Sequence, residues 1–312
     1  MSFQQPLLFA GSSHLSLAKE IADQLEIPLG QMHLSCFPDG EIAVQILESV
    51  RGRDVFVLQS VALNPNFFLM ELLIIIDALK RASARSVVAV IPYFGYCRQD
   101  RKDKPRVPIT AKLVANLLVT AGVSRILAVD LHAGQVQGFF DIPVDHVHGR
   151  LSLIKGLQQI DLTNCIVVAP DIGSVKIARA FASQLSVDFA VIDKHRQDPM
   201  KIGDVTLIGD VKGKDVLLAD DMCSTGATLV SAAKACHEKG AKRIFGAVTH
   251  GVLIDPAVSR IEQSPLESVW VTNTIPHTER LTEAAKLKTV SIAPLLARAI
   301  RCIASDESIS SL

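Results

Sequence analysis

Short apolar runs alternate along the chain with longer stretches in which apolar positions recur every three to four residues. The runs are apolar almost without interruption, as expected for strands buried on both faces of a sheet; they are VFVLQS, SVVAVIPYF, ILAVDLH, CIVVAPD, DFAVIDK, VLLADD, IFGAVTH and VWVTNTI. The longer stretches are typical of amphipathic helices, and the clearest are SLAKEIADQLE, ITAKLVANLLVTAG, SVKIARAFASQL and TLVSAAKACHEKG. This alternation predicts an α/β protein with mostly parallel sheets flanked by helices.

An internal repeat accompanies this alternation. VRGRDVFVLQS, from Val50, matches VKGKDVLLADD, from Val211, and each is followed by a helical pattern and a similar strand entry, SARSVVAVIP or GAKRIFGAVT. Two tandem copies of one α/β unit are the simplest explanation, and chance similarity between two strand–helix–strand units is the alternative. Where the second copy has Asp220 and Asp221, the first has Gln59–Ser60, so the fold itself does not require the acid pair.

Length and charge limit the class of protein. A chain of 312 residues predicts about two domains, and DIPVDHVHGR (141–150) is the candidate junction because it has no helical periodicity. The 32 acidic and 32 basic residues balance, so no global field favours nucleic acid or an anionic membrane. Any anion must therefore bind at a local site.

Targeting signals and cysteine usage indicate a cytoplasmic protein. The N-terminus lacks the basic lead of a signal peptide, and the most apolar run, FFLMELLIII (67–76), is too short to span a bilayer and contains Glu71. The six cysteines are scattered without a CxxC pair, which is typical of free thiols in a reducing compartment.

The segment DDMCSTGATL (220–229) contains the strongest candidate chemistry. It follows the apolar VLLA, which we expect to end a strand, and it precedes a helical pattern. Backbone amides and hydroxyls at a helix N-terminus bind phosphate well, and the two acids would stand beside the anion to accept hydrogen bonds from sugar hydroxyls. The segment therefore predicts a sugar-phosphate site; an acidic N-cap before an ordinary turn is the alternative.

Three further segments contain candidate residues. The basic run from Gly95 to Arg106 follows a strand and is suited to a nucleotide, although it could be a solvated charge run. His132 and Asp171 each follow a strand and could hold a divalent cation. Alternatively, either residue could make structural hydrogen bonds, and Asp171 could cap a helix. Lys194 and Arg196 follow another strand. Two positive charges there could stabilise the charge that develops in phosphoryl transfer, or could simply keep a surface hairpin soluble. Neither a GxxxxGK[ST] loop nor a GxGxxG motif follows a strand.

With these motifs in order, the chain resembles the ribose-phosphate pyrophosphokinase (phosphoribosyl pyrophosphate synthetase) family from FAGSSHLSLAKEIA to its C-terminus. The strings IPYFGYCRQDRKDK, DLHAGQVQGFFDIPVDH, VDFAVIDKHR and the DDM loop carry the resemblance. It implies transfer of the pyrophosphoryl group of ATP to O1 of ribose 5-phosphate, giving 5-phosphoribosyl 1-pyrophosphate and AMP, with Mg²⁺ as cofactor.

The resemblance also implies a domain organisation and an assembly. The fold would be two tandem phosphoribosyltransferase-like domains, 1–148 with the ATP and oligomer contacts and 149–295 with the ribose 5-phosphate loop. Residues 296–312 would form a C-terminal helix and tail packing near the first domain. Members of the family are homo-oligomers, commonly hexamers built from dimers, in which a hairpin of one subunit completes the adenine site of its neighbour.

Site residues follow by motif matching. Those for ribose 5-phosphate are Asp220, Asp221, Ser224, Thr225, Gly226, Ala227 and Thr228; those for ATP are Phe37, Asp39, Glu41, Arg98, Gln99, Asp103 and His132. His132 and Asp171 match the magnesium positions, and Lys194 and Arg196 the catalytic pair. Ser49, Arg51 and Ser83 match positions that bind regulatory phosphate or ADP in many members.

Several residues depart from the family pattern. Ser224 stands where the usual DDxxDTxGT loop has a third acid, Ser174 follows Gly173 where a second glycine is common, and Ile177 replaces a common arginine. A hydroxyl at 224 can donate to phosphate, whereas a carboxylate would repel it. Two other functions stay open: a catalytically silent regulatory homologue, and a phosphoribosyltransferase that consumes phosphoribosyl pyrophosphate.

Overall fold

The computed structural model describes residues 5–194, 205–277, 284–310 and 312. They form two compact units: Met1–Gly149 with Thr274–Pro276 and Ser291–Leu312, and Arg150–Asn273 with His277–Val290. The division after Gly149 lies inside the segment we took as the junction. Gly149 and residues 274–276 and 291–295, which the sequence assigns to the second domain, lie in the first unit.

The first unit is built on a parallel sheet of five strands. Its elements are β1 (Leu7–Ala10), α1 (Leu15–Leu25), β2 (Met32–Cys36), β3 (Ile42–Ile46), β4 (Asp54–Leu58), α2 (Pro65–Arg81), β5 (Ser86–Ile91), α3 (Thr110–Ala121), β6 (Arg125–Val129), a 3₁₀ helix (Gly134–Phe139), β7 (Val144–Val147) and the C-terminal α8 (Ala293–Ala304). The sheet order is β1-β4-β5-β6-β7, with every neighbouring pair parallel. Strands β2 and β3 form a separate antiparallel hairpin.

Side chains of β4 alternate between two helical layers of the first unit. Val55 and Val57 face the cluster that contains the buried residues of α2 and α3. Phe56 and Leu58 face the cluster formed by α1 and α8. Since successive residues of a strand point to opposite faces, a strand covered on both faces must be continuously apolar, which is the pattern that predicted β4.

The second unit is built on a mixed sheet of seven strands. Its elements are α4 (Arg150–Leu157), β8 (Cys165–Ala169), a 3₁₀ helix (Ile172–Ser174), α5 (Val175–Leu185), β9 (Phe189–Lys194), β10 (Val205–Ile208), β11 (Asp215–Cys223), α6 (Ala227–Glu238), β12 (Arg243–Gly251), α7 (Ala257–Glu262), β13 (Ser268–Thr272) and β14 (Leu287–Val290). The order is β10-β9-β8-β11-β12-β13-β14. Only the edge pair β10–β9 is antiparallel among these described strands.

The central strand β11 is covered in the same way as β4. Val216 and Leu218 pack in the cluster of α6 and α7. Leu217 and Ala219 pack in the cluster of α4 and α5. Both units therefore have the helix–sheet–helix layering that the alternation of patterns predicts, and the predicted α/β class with mostly parallel sheets is confirmed.

The sequence repeat corresponds to a structural repeat in the entry to β4 and β11. Gly52, at φ +68°, donates its N–H to the Ser83 carbonyl at 2.9 Å. Gly213, at φ +71°, donates in the same way to the Gly240 carbonyl at 2.8 Å. The left-handed backbone that this turn requires costs glycine little, which explains the glycine in both copies.

An arginine–aspartate pair follows the turn in each copy. Arg85 makes two hydrogen bonds to the Asp54 carboxylate, and Arg243 makes two to Asp215, at 2.6 and 3.0 Å. In each case the aspartate is the first residue of its strand, β4 or β11, and the arginine lies just before or at the start of the neighbouring strand, β5 or β12. Equivalent side chains in equivalent contacts favour duplication over chance similarity.

The predicted strands and helices are all present, but several short elements were missed. All eight apolar runs contain a strand and all four amphipathic patterns contain a helix. The apolar runs did not include β1, β2, β3, β7, β10 or β14, each of which has only four or five residues. FFLMELLIII lies in α2, whose 17 residues make it the longest helix in the described ranges. Within those ranges every helix is too short or too polar to span a bilayer.

Candidate active site

The acid pair lies inside a strand and not beyond it. The expectation that the strand ends at Ala219 was wrong, because β11 continues to Cys223 and pairs with β12 along its full length. Its pairing with β8, on the other side, stops at Leu218. Asp220 and Asp221 therefore extend past the end of β8 with one ladder still intact, and they are only 8% and 9% exposed.

Buried carboxylates in this position are electrostatically unfavourable. Burial raises the pKa of Asp220 well above its ordinary value, and the adjacent Asp221 carboxylate raises it further. The Ser174 hydroxyl, 2.7 Å from Asp220 Oδ1, partly opposes that rise in pKa. The Asp221 backbone N–H also donates to Asp220 Oδ1, at 2.9 Å. A pair held at this cost in stability is typical of a functional site.

Asp171 lies at the end of the neighbouring strand β8. Its Oδ1 accepts hydrogen bonds from the Ser174 N–H at 3.1 Å and from the Ser174 hydroxyl at 3.0 Å, so it caps the 3₁₀ helix Ile172–Ser174. The capping role that we weighed for this residue is therefore real. A cap engages only one carboxylate oxygen here, which leaves the other available to a ligand.

The predicted phosphate loop leads directly into α6. Residues 224–226 follow β11, and α6 begins at Ala227 with Gly226 as its N-cap at φ +74°. Since glycine has no side chain, the N-cap residue offers no acceptor to the first amides of the helix, which also lack partners within the helix. This is the arrangement that favours an anion at a helix N-terminus.

A neighbouring segment holds the loop in place. Leu253 donates its N–H to the Cys223 carbonyl at 3.0 Å, and Ile254 donates to the Ser224 carbonyl at 3.1 Å. The Arg260 side chain donates to the Thr225 carbonyl at 3.0 Å. The loop is thus preorganised through the carbonyls of Cys223, Ser224 and Thr225 and through the Gly226 N–H, which donates to the buried Cys223 side chain. The sequence patterns did not point to this segment or to Arg260.

Replacing Gly226 with alanine should weaken the loop. The positive φ disfavours any residue with a Cβ, and that Cβ would lie 3.4 Å from the Ala257 carbonyl oxygen. We expect a loss of about 1–2 kcal/mol in the free energy of unfolding and weaker binding of ribose 5-phosphate. Denaturant unfolding and calorimetric titration measure the two effects. Alanine at Gly134, where a Cβ meets nothing within 4 Å, is the matched control.

The cysteines around this site should be chemically inert. Burial raises the pKa of Cys223 to about 12, and burial is also the main reason that the pKa values of Cys165 and Cys236 are raised to about 12. Because thiolate is the reactive form, a disulfide reagent at pH 8 should modify exposed Cys36 fast, half-buried Cys302 slowly and the other four only after unfolding. Cys36→Ser should remove the fast phase; fast modification of Cys223 would contradict this.

The residues of the second unit fit a hard divalent cation. Asp220 and Asp221 lie in β11, Asp171 follows the adjacent strand β8, and the Ser174 hydroxyl contacts Asp171 and Asp220. Carboxylate oxygens of this kind are donors that suit Mg²⁺. His132 lies in the first unit, exposed, after β6.

The predicted catalytic pair lies at the border of the described residues. Lys194 is the last residue of β9 and its backbone pairs with Val205 of β10, so the two strands form the limbs of a hairpin. Arg196 lies outside the described residues. The roles of both residues stay predictions.

The predicted ATP residues of the first unit lie in two places. Phe37, Asp39 and Glu41 lie together at the tip of the β2–β3 hairpin, where Phe37 donates its N–H to the Glu41 carbonyl at 2.8 Å and its side chain is 56% exposed. Arg98, Gln99 and Asp103 are exposed in the loop after β5. The Gln99 carbonyl accepts the Ala111 N–H at 3.2 Å, which attaches this loop to α3.

The predicted regulatory residues lie at the turn shared by the two copies. Arg51 precedes Gly52, whose N–H bonds the carbonyl of Ser83, so the structure brings Arg51 and Ser83 close together. Ser49 is exposed two residues before Arg51.

Another cluster of histidine and carboxylate lies in the first unit and is internally satisfied. Asp130 accepts hydrogen bonds from His148 Nδ1–H at 2.8 Å and from the Gly149 N–H at 3.0 Å. His146 Nε2 accepts the Leu131 N–H at 3.0 Å. The Asp130 carboxylate, His148 Nδ1 and His146 Nε2 therefore each already contact a protein group.

The first unit fills the position that corresponds to the acid pair with its own side chains. Gln59 and Ser60 are fully buried, and Gln59 donates to Glu71 at 2.7 Å. Ser12 donates to the same carboxylate through its N–H at 2.7 Å and through its hydroxyl. Buried Glu71 therefore satisfies this position of the first unit internally.

Comparison with known proteins decides the family. The model of the N-terminal domain of ribose phosphate pyrophosphokinase matches residues 7–122, and that of the phosphoribosyl synthetase-associated domain matches residues 196–312. The ribose-phosphate pyrophosphokinase of Wolinella succinogenes is 50% identical over 98% of both chains, and that of Brucella melitensis is 49% identical over 98% of this chain and 99% of its own. The chain belongs to the ribose-phosphate pyrophosphokinase family.

A solved structure agrees with this membership. The crystal structure of phosphoribosylpyrophosphate synthetase from Mycobacterium smegmatis is 44% identical, with a TM-score of 0.91 over 97% of this chain and all of that one. The resemblance identified from the motifs is confirmed, and so is the implied fold of two tandem phosphoribosyltransferase-like domains.

Proposed function

We propose that this chain is a ribose-phosphate diphosphokinase. The O1 hydroxyl of ribose 5-phosphate attacks the β-phosphorus of ATP, a new O1–Pβ bond forms, and the bond from Pβ to the α,β-bridging oxygen breaks. AMP leaves with that oxygen, the hydroxyl proton passes to solvent, and the products are 5-phosphoribosyl 1-pyrophosphate and AMP. Membership of the family over 98% of the chain supports this reaction.

The observation that carries the proposal is the acid pair beside an open helix N-terminus. The fold does not need these acids, since the first unit has Gln59 and Ser60 in their place. A ribose phosphate needs both halves of the site: carboxylates for its hydroxyls and amides for its phosphate.

Each part of the ribose site has a separate role. Asp220 and Asp221 accept hydrogen bonds from the ribose hydroxyls and so orient O1. The 5-phosphate is held by the amides and hydroxyls of Ser224, Thr225, Gly226, Ala227 and Thr228. Ser224 contributes a hydroxyl donor at this position, where a carboxylate would repel the phosphate.

ATP and its cation are assigned to the other matching residues. The ATP residues are Phe37, Asp39, Glu41, Arg98, Gln99, Asp103 and His132, and the Mg²⁺ residues are His132 and Asp171. When bound, Mg²⁺ supplies positive charge to the polyphosphate. Lys194 and Arg196 stabilise the charge that develops on the transferring group and on AMP. The protein contributes position and electrostatics, without a covalent intermediate.

Assembly, regulation and location complete the proposal. A homo-oligomer that completes the adenine site is proposed, as a hexamer built from dimers; exposed Phe37, Leu47 and Met70 give it apolar contact surface. Ser49, Arg51 and Ser83 are proposed to bind phosphate or ADP. Six free cysteines support a reducing, cytoplasmic location.

The decisive experiment follows AMP and phosphoribosyl pyrophosphate. Purified protein is incubated with ATP, ribose 5-phosphate and Mg²⁺, with and without phosphate and ADP. Equal amounts of the two products are expected. A phosphoribosyltransferase would instead release pyrophosphate from phosphoribosyl pyrophosphate and a nucleobase, and a silent homologue would form no AMP under any condition.

A further inference from the structure

One buried hydroxyl joins two of the carboxylates in the second unit. Ser174 Oγ lies 2.7 Å from Asp220 Oδ1 and 3.0 Å from Asp171 Oδ1. The serine is only 3% exposed, so it contacts these acids away from bulk water. Asp220 lies within β11 and Asp171 follows the end of β8, and the hydroxyl therefore connects β11 with the segment after its neighbouring strand.

The two carboxylates depend on this hydroxyl to different extents. Asp171 Oδ1 also accepts the Ser174 backbone N–H at 3.1 Å, which any residue at position 174 other than proline keeps. Asp220 would keep contacts with Asp221 alone, its chain neighbour: the backbone N–H to Oδ1 and a side-chain hydrogen bond between the two carboxyl groups. Loss of the hydroxyl should therefore disturb Asp220 more than Asp171.

We propose that Ser174 is a positioning residue that fixes the Asp220 carboxylate for the sugar and thereby sets the affinity for ribose 5-phosphate. The inference rests on the proposed function, because it takes Asp220 as a ribose ligand. Ser174 itself does not touch the sugar. Its hydroxyl draws Asp220 Oδ1 towards the β8 side, and this fixes the direction in which the second oxygen of the carboxylate is presented.

Without the hydroxyl, two effects would act on Asp220 in the same direction. The carboxylate loses a donor that no bulk water replaces, and repulsion from Asp171 and Asp221 is no longer offset. The Asp220 side chain then populates other rotamers, and the sugar must select the productive one. The cost appears in binding of ribose 5-phosphate and leaves ATP binding unchanged.

Ser174→Ala is the direct test, with Ser174→Thr as the variant that retains a hydroxyl. Calorimetric titration with ribose 5-phosphate should show affinity about tenfold or more below wild type for alanine, and recovery of most of it for threonine. The KM for ATP should change by less than about twofold. Ser183→Ala, at an exposed position of α5, is the matched control and should behave as wild type.

Other outcomes would overturn the inference. Unchanged affinity of Ser174→Ala for ribose 5-phosphate would show that Asp220 does not depend on the hydroxyl. An equal loss of affinity for both substrates, together with a lower unfolding temperature, would show a structural role only. Ser174→Gly, which removes the side chain altogether, is a second check on this outcome. If the wild-type protein does not bind ribose 5-phosphate, the proposed function itself fails. If the wild type binds and Ser174→Ala binds equally well, only the inference about Ser174 fails.

Discussion

Replacing Lys194 with alanine is expected to lower the turnover number by about 10²–10³-fold or more while the protein stays folded. The reason is that a cation placed against a transferring phosphoryl group acts on charge that is larger in the transition state than in the substrate. The KM for ribose 5-phosphate should change little, because its proposed ligands lie in β11, in the loop that follows it and in the first turn of α6. Steady-state kinetics with saturating substrates measure the turnover number, and circular dichroism shows whether the variant is folded.

A lysine elsewhere in the same unit provides the control. Lys155 is exposed in the last turn of α4, and Lys155→Ala removes the same side chain and charge. It should retain wild-type turnover. Near-normal turnover in Lys194→Ala would remove Lys194 from the mechanism.

Replacing Asp220 with asparagine should stabilise the second unit and impair its function. The change removes one of two adjacent buried negative charges, and the asparagine oxygen can still accept from Ser174 and from the Asp221 N–H. In the absence of ligands and with a chelator present, the thermal unfolding midpoint should rise by about 2–4 °C for each kcal/mol gained in the free energy of unfolding. The catalytic efficiency for ribose 5-phosphate should fall about 100-fold, because the sugar loses a charged acceptor.

The comparison needs a charge change that lies away from the site. Asp188→Asn, at an exposed position before β9, makes the same chemical change and should alter neither the midpoint nor the kinetics. A lower midpoint in Asp220→Asn with unchanged kinetics would mean that the acid pair stabilises the fold, and the argument for a ribose site would lose its main support.

The layered α/β fold was predictable because its signal is local. Strands such as β4 and β8, covered on both faces, must be apolar throughout, and helices such as α1 and α5 show one apolar face. The path of the chain between the units was not predictable in this way. The return of Thr274–Pro276 and Ser291–Leu312 to the first unit depends on packing between distant segments, including α8 on α1, and no local pattern encodes that packing.

The candidate site was predicted by residue type but not by geometry. The change from VLLA to acids suggested the end of a strand, yet β11 continues because its backbone ladder with β12 does not depend on apolar side chains. Ser174 was visible only as a departure from the family pattern. Predicting its contacts with Asp171 and Asp220 would have required the register of β8 against β11. Predicting the contact of Arg260 with the loop would have required the path of the chain after β12.

The most direct test of the central claim follows the transferred group itself. ATP labelled with ³²P at the β-phosphate, and in a second reaction at the γ-phosphate, is incubated with the protein, ribose 5-phosphate and Mg²⁺, and the products are separated. Transfer of an intact pyrophosphoryl group predicts that both labels appear in phosphoribosyl pyrophosphate in equal yield, with unlabelled AMP as the other product. Transfer of the γ-label alone with formation of labelled ADP from the β-labelled ATP, or no transfer of either label, would contradict the account.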